Sequence, residues 1–95
     1  MWVLESSNAT KPITFRLAPG AIKTLGRAKR ADFVVDAALV SRLHCRITAG
    51  EEKLEIVDLG STNGTFVNDR RIEHGQAAGG DRLRIGRVEL RVSRS

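Results

Sequence analysis

The chain is cut into short pieces. Apolar or alternating segments run Trp2–Leu4, Ile13–Leu17, Ile22–Leu25, Phe33–Val35, His44–Thr48, Leu54–Val57, Thr65–Val67, Arg82–Ile85 and Val88–Val92. Glycine or proline punctuates most of the gaps: Pro19-Gly20, Gly26, Gly50, Gly60, Gly64, Gly75, Gly79-Gly80 and Gly86. In Val88-Glu89-Leu90-Arg91-Val92 the apolar residues recur at period two, as on a strand with one buried face. No segment keeps helical periodicity long enough for a packed helix, and Asp36–Val40 has room for one short turn. Many short strands with frequent turn signals predict an all-β sandwich or barrel. The 95 residues hold a single domain spanning 1–95, with Ser93–Ser95 read as a frayed tail.

The period-two pattern nominates Trp2, Val3, Leu25, Phe33, Val35, Cys45, Ile47, Ile56, Phe66, Leu83, Ile85, Leu90 and Val92 for the core. A lone cysteine excludes an internal disulfide framework, and two histidines are too few for a zinc cluster, so neither metal nor cofactor is expected. No apolar run approaches the ~20 residues that span a bilayer, and no membrane partner is expected. The N-terminus lacks a signal-peptide pattern, which reads as an intracellular protein.

Charge narrows the partners. Sixteen Lys and Arg against eleven Asp and Glu give +5, and twelve of the sixteen are Arg. Arginine forms planar, paired hydrogen bonds to phosphate or carboxylate, so the expected partner is anionic. Arg82, Arg84, Arg87, Arg91 and Arg94 cluster in sequence, as do Arg27, Lys29 and Arg30. Nucleic acid is the alternative partner. However, the stacking aromatics are only Trp2, Phe15, Phe33 and Phe66, and no nucleic-acid motif is present, so direct DNA binding is not favoured.

Three loops place donors beside tight turns. Gly26-Arg27 follows a strand, Ser41-Arg42-Leu43-His44 opens one, and Asp58-Leu59-Gly60-Ser61-Thr62-Asn63-Gly64-Thr65 precedes Phe66-Val67-Asn68. Asn63-Gly64 between apolar segments reads as a hairpin turn. Yet Ser61, Thr62 and Asn63 supply more side-chain hydrogen-bonding groups than a plain hairpin needs. Ser41 and His44 suggest a nucleophile with its base, but no glycine elbow surrounds Ser41 and no acid partner is evident. No catalytic residues are therefore assigned, and the chain is not read as an enzyme. His44 is read as a hydrogen-bonded, half-buried structural residue.

In this order and spacing the motifs resemble the forkhead-associated (FHA) domain, a phosphothreonine-binding module. Ser41 lies fourteen residues after Arg27, and Ser61 twenty after Ser41. Phe66-Val67-Asn68 and Gly80-Asp81-Arg82-Leu83-Arg84-Ile85-Gly86 extend the likeness over almost the whole chain. Where the family usually has glycine shortly after Asn68, this chain has Asp69-Arg70-Arg71, which bears on turn shape. The resemblance implies a β-sandwich of two antiparallel sheets with about 11 strands, its ligand site on loops at one end. By the resemblance, Arg27, Ser41, Arg42 and Thr62 face the phosphate and Asn63 bonds the peptide backbone, while Gly26, His44 and Gly64 support the loops. A phosphothreonine protein or peptide with acidic flanks is the implied partner.

The first six residues, Met1-Trp2-Val3-Leu4-Glu5-Ser6, also resemble the start of fungal nibrin-type proteins of DNA double-strand-break repair. That likeness implies a nuclear N-terminal fragment of a longer protein. The alternatives are a bacterial FHA signalling adaptor in the cytoplasm, and an FHA fold that has lost phosphate binding, against which the intact Arg27, Ser41 and Asn63 argue.

Overall fold

The computed structural model describes residues 1–7 and 12–95. Eleven strands run in chain order: β1 Trp2–Ser6, β2 Thr14–Leu17, β3 Ile22–Gly26, β4 Phe33–Val34, β5 Cys45–Ala49, β6 Leu54–Asp58, β7 Thr65–Val67, β8 Arg70–Ile72, β9 His74–Ala77, β10 Arg82–Ile85 and β11 Val88–Arg94. They form two sheets, one ordered β2-β1-β11-β10-β7-β8 and the other β4-β3-β5-β6-β9. The fold is all-β, as the turn punctuation predicts, and no helix among the described residues is long and apolar enough to cross a membrane. All pairings are antiparallel except one. β4 adds to β3 in parallel, a two-residue parallel edge on the expected antiparallel sandwich.

Alternate residues face between the sheets, and Trp2, Leu4, Leu25, Ile47, Leu54, Ile56, Leu83, Ile85 and Leu90 are essentially inaccessible. Three expected core residues differ. Trp2-Val3-Leu4 is apolar throughout, so period alone cannot choose its inner face; Leu4 takes it and Val3 is half exposed. Phe66 lies on the outer face, where the Arg84 guanidinium sits 4.1 Å from its ring centroid. Phe33 is half-buried and stacks on Phe15, ring centroids 4.4 Å apart, joining β4 of one sheet to β2 of the other. Cys45 is fully buried, and burial first, then the nearby Asp58 charge, pushes its thiol up to about 12, leaving it protonated and inert. The supposed frayed tail is largely strand: Ser93 and Arg94 pair with Val3 and Trp2 in the β1–β11 ladder.

The Asn63-Gly64 turn is a second correction. β6 pairs with β5 and β9, whereas β7 pairs with β10 and β8. The loop between β6 and β7 therefore crosses from one sheet to the other and closes no hairpin. The tight hairpin turn lies one strand later, at Asn68-Asp69, where φ is +49° and +66°. Positive φ at both central residues matches the right-handed twist of a two-residue hairpin. Asn tolerates that conformation better than Asp does, and glycine tolerates it best. Asp69→Gly should raise stability by about 0.5–1 kcal/mol, although it loses exposed ion pairs to Arg82 at 3.3 Å and Arg84 at 4.0 Å. A lower melting temperature for Asp69→Gly would contradict this reading of the turn.

Candidate functional site

Three loops meet at one end of the sandwich because β3 does not stop at its last ladder bond. The Arg27 N–H donates to Ser41 O at 2.9 Å and the Ala28 N–H to Arg42 O at 3.1 Å. The chain after Gly26 thus runs beside the Ser41-Arg42 loop. The approach is close: a Cβ at Gly26 would lie 2.0 Å from Arg42 O. Only glycine fits there without moving backbone.

His44 ties the second loop to the third. Its ring is fully buried. The Ser41 N–H donates to His44 Nδ1 at 3.0 Å, so Nδ1 is an acceptor and the proton sits on Nε2. Nε2 in turn donates to Gly64 O at 2.8 Å. Gly64 has φ +89°, a conformation that a side chain would strain. His44 is buried completely rather than by half, and both ring nitrogens are engaged in joining the two loops.

The third loop is organised by Asp58, a residue that sequence reasoning passed over. Its Oδ2 accepts the Gly60 and Ser61 N–H groups at 3.1 and 3.0 Å, and its Oδ1 accepts the Thr65 hydroxyl at 2.7 Å. The Ser61 hydroxyl also donates to Oδ1 and accepts the Gly64 N–H at 2.9 Å. The signal available in sequence was an aspartate two and three residues before Gly60-Ser61, the spacing of a side chain that folds its own loop. Partial burial works against the Asp58 charge, but the donors from Ser61 and Thr65 outweigh it and hold the carboxyl below its usual range. A depressed folded-state value stabilises the fold above the unfolded pKa of about 3.9. That stability is lost as pH falls through the folded value. Thermal melts should therefore drop below about pH 4, and Asp58→Asn should lower the plateau and flatten this acid limb. An unchanged acid limb in Asp58→Asn would contradict the assignment.

These loops enclose a cleft of about 370 Å³ lined by Arg27, Ala38, Leu39, Val40, Ser41, Thr62 and Asn63. Arg27 donates from Nε to Val40 O at 3.1 Å, which fixes the guanidinium plane and leaves its four terminal N–H groups for a ligand. The Ser41 hydroxyl oxygen accepts the Thr62 N–H at 3.1 Å, so its own proton remains to be donated. Thr62 is exposed, and its hydroxyl has no protein partner among the described residues. Asn63 donates from Nδ2 to Leu39 O at 3.0 Å, bracing a residue whose φ is +70°, and keeps its carbonyl oxygen and second N–H available. Of the expected ligand-facing residues, the structure brings Arg27, Ser41, Thr62 and Asn63 together in the cleft. Arg42 does not line it; its side chain is exposed and follows Ser41 in the loop. Gly26, His44 and Gly64 lie behind the cleft, in the supporting contacts given above.

The cleft gathers a clamped guanidinium, two hydroxyls and an amide on loops of an all-β sandwich, a donor set suited to an anion. The FHA domain model matches residues 23–86, and the chain belongs to the FHA domain family. It is 36% identical over 70 residues to the glycogen accumulation regulator GarA of Mycobacterium tuberculosis, an alignment covering 74% of this chain and 43% of GarA. The chain thus spans less than half the length of that curated relative. A solved structure described as a structural and functional analysis of phosphothreonine-dependent FHA domain interactions superposes with a TM-score of 0.87 at 32% identity, covering 99% of this chain and 96% of that one. The FHA domain of FhaA, complexed with the intracellular domain of Rv3910, superposes with a TM-score of 0.85 at 33% identity, covering 97% and 99%.

Proposed function

We propose that this domain is a non-catalytic reader of phosphothreonine peptides, acting as a phosphorylation-dependent adaptor. The observation that carries the reading is the cleft itself. Arg27 is held by Val40 O so that its terminal N–H groups are unpaired, and the Ser41 and Thr62 hydroxyls line the same space. A phosphothreonine carries about −1.5 to −2 charge and three strong acceptor oxygens. A guanidinium serves two of those oxygens in parallel, and hydroxyl donors serve the third. Asn63, on the same lining, is assigned to the peptide backbone, and Arg42, beside Ser41 in sequence, to the role of a second, longer-range cation. The likeness to FHA domains studied for phosphothreonine-dependent interactions supports this choice of ligand.

The relatives named above support a bacterial signalling adaptor acting in the cytoplasm. The nibrin-type reading, with its nuclear role in DNA repair, has the six N-terminal residues as its whole support, and none of those relatives adds to it. Calorimetric titration tests the proposal, using a phosphothreonine peptide, its unphosphorylated twin and a duplex DNA at two salt concentrations. Binding of the phosphorylated peptide alone is expected. Equal binding of the twin, or tighter binding of DNA, would remove the reading.

The net charge of +5, with Arg42 following Ser41 and Lys29 and Arg30 following Arg27, predicts a general preference for Asp or Glu beside the phosphothreonine. Exposed charges attract weakly and are screened, so this preference should fade between low salt and about 0.5 M salt. A phosphopeptide library with no acidic enrichment at low salt would contradict it.

A further inference from the structure

Gly64 borders the cleft residue Asn63, and the space beyond its Cα is filled. A Cβ built there would lie 2.9 Å from Arg71 Nε, 3.1 Å from Arg71 Cζ and 3.2 Å from Phe66 Cε1. The Arg71 guanidinium, carried on the edge strand β8, is therefore packed against the backbone of the Asn63-Gly64 loop. Phe66 and Arg71 are direct cross-strand partners, which brings the ring to the same point.

The two arginines of β10 differ from Arg71 in one respect. Arg84 lies over the Phe66 ring and approaches Asp69, and Arg82 pairs with Asp69 at 3.3 Å and approaches Glu89 at 3.9 Å. Arg71 is exposed and has no carboxylate or hydrogen-bond partner among the described residues. It is a cation placed by packing and left without a counter-charge, beside the wall of the candidate cleft. A long flexible side chain loses rotamer freedom when it is held like this, so the positioning favours binding an anion over mere solvation.

We infer that Arg71 is a second anion-binding position that reads a carboxylate side chain of the phosphothreonine ligand at one flanking position on the Asn63 side of the cleft. This rests on the phosphothreonine reading proposed above, and it adds a positional specificity to it. A peptide in extended conformation advances about 3.3 Å per residue and alternates its side chains. One flanking side chain therefore faces the Gly64–Arg71 wall while its chain neighbours do not. The preference assigned to Arg71 is confined to that position, unlike the diffuse attraction of Arg42, Lys29 and Arg30.

The test is a set of phosphothreonine peptides in an otherwise alanine context, with Glu placed in turn at each of the four positions on either side. Wild type, Arg71→Gln and Arg71→Glu are titrated with each, and thermal melts show that all three are folded. Wild type should favour Glu over Ala at one position by about two- to fivefold, the range of an exposed ion pair. In Arg71→Gln the Glu-to-Ala ratio at that position should fall to near one. In Arg71→Glu it should invert, and Lys at that position should restore the affinity. The Arg71 Nε–H resonance should shift on adding that Glu peptide and not its Ala counterpart. A positional preference that survives in Arg71→Gln, or no preferred position in wild type, overturns the inference while phosphorylation-dependent binding stands. If phosphorylated and unphosphorylated peptides bind alike, the phosphothreonine reading fails and the Arg71 role falls with it.

Discussion

Arg27→Ala should weaken phosphothreonine-peptide binding about thirtyfold or more, the equivalent of roughly 2–5 kcal/mol for removing one partner of a hydrogen-bonded charge pair at an interface. No other side chain in the cleft can replace it. The hydroxyls of Ser41 and Thr62 are neutral, and Arg42 stands outside the lining. Arg27→Lys should recover only part of the loss. An ammonium cannot hold Val40 O with one nitrogen while presenting a planar pair of donors to a phosphate. Arg27 is exposed, yet it also has a structural role. Its Nε bond to Val40 O closes the loop over residues 38–41, so Arg27→Ala should also lower stability by about 0.5–1.5 kcal/mol. Titration must therefore be done well below the melting temperature of the variant. Wild-type binding should itself weaken as pH falls through about 6, where phosphate becomes a monoanion. The loop that carries Ser41 is itself held by the Ser41 N–H bond to His44 Nδ1. Melts at each pH separate loss of the ligand charge from loss of the loop. A folded Arg27→Ala that binds the phosphopeptide as tightly as wild type would show that the cleft is not the phosphate site.

The strands that sequence predicts well are those whose alternation is chemically sharp. β10 and β11 bury Leu83, Ile85, Val88, Leu90 and Val92 and expose what lies between. β8 and β9 escape because Arg70-Arg71-Ile72 and His74-Gly75-Gln76-Ala77 are edge strands that give little to the core beyond Ile72 and Ala77. Turn chemistry was misassigned for a related reason. Asn63-Gly64 announces positive φ, which Gly64 indeed adopts, but a local signal cannot say whether the flanking strands share a sheet. The real hairpin at Asn68-Asp69 uses a less favourable pair and so carries a fainter mark. Within the cleft, the donor residues are legible because a guanidinium and clustered hydroxyls announce anion chemistry. Asp58 and Arg71 are less so. The first is an acid inside a basic site; its spacing before Gly60-Ser61 marks a loop-folding side chain, but its bond to Thr65 appears only in the fold. The second comes from a strand on the far side of the Asn63-Gly64 crossover, where only tertiary packing brings it to Gly64.

Gly26→Ala should damage both fold and site. The atoms that a Cβ would strike are all backbone: Arg42 O at 2.0 Å, Arg42 C at 2.7 Å and Leu43 Cα at 2.9 Å. No side chain can swing away to make room, so the β3 end and the Ser41–Leu43 loop must separate. That separation strains the bonds from Arg27 N to Ser41 O and from Ala28 N to Arg42 O, and it shifts the two residues that present Ser41 and Arg27 to the cleft. Gly26 is also anchored from the other side, where its carbonyl accepts the Val35 N–H at 2.8 Å, so β3 cannot simply retreat. Overpacking of this kind costs about 1–3 kcal/mol and sometimes more. For a domain of this size that corresponds to a melting temperature lower by about 5–20 °C. The matched control is Gly79→Ala, where a Cβ meets nothing within 4 Å and φ is not positive, and which should melt like wild type. Phosphopeptide affinity separates two ways of absorbing the extra methyl. If the loop yields, Gly26→Ala remains folded but loses binding. If β3 yields, the core residue Leu25 moves with it and stability falls furthest. A variant that melts within about 2 °C of wild type and binds equally well would show that the close approach of β3 to the Ser41-Arg42 loop does not define the site.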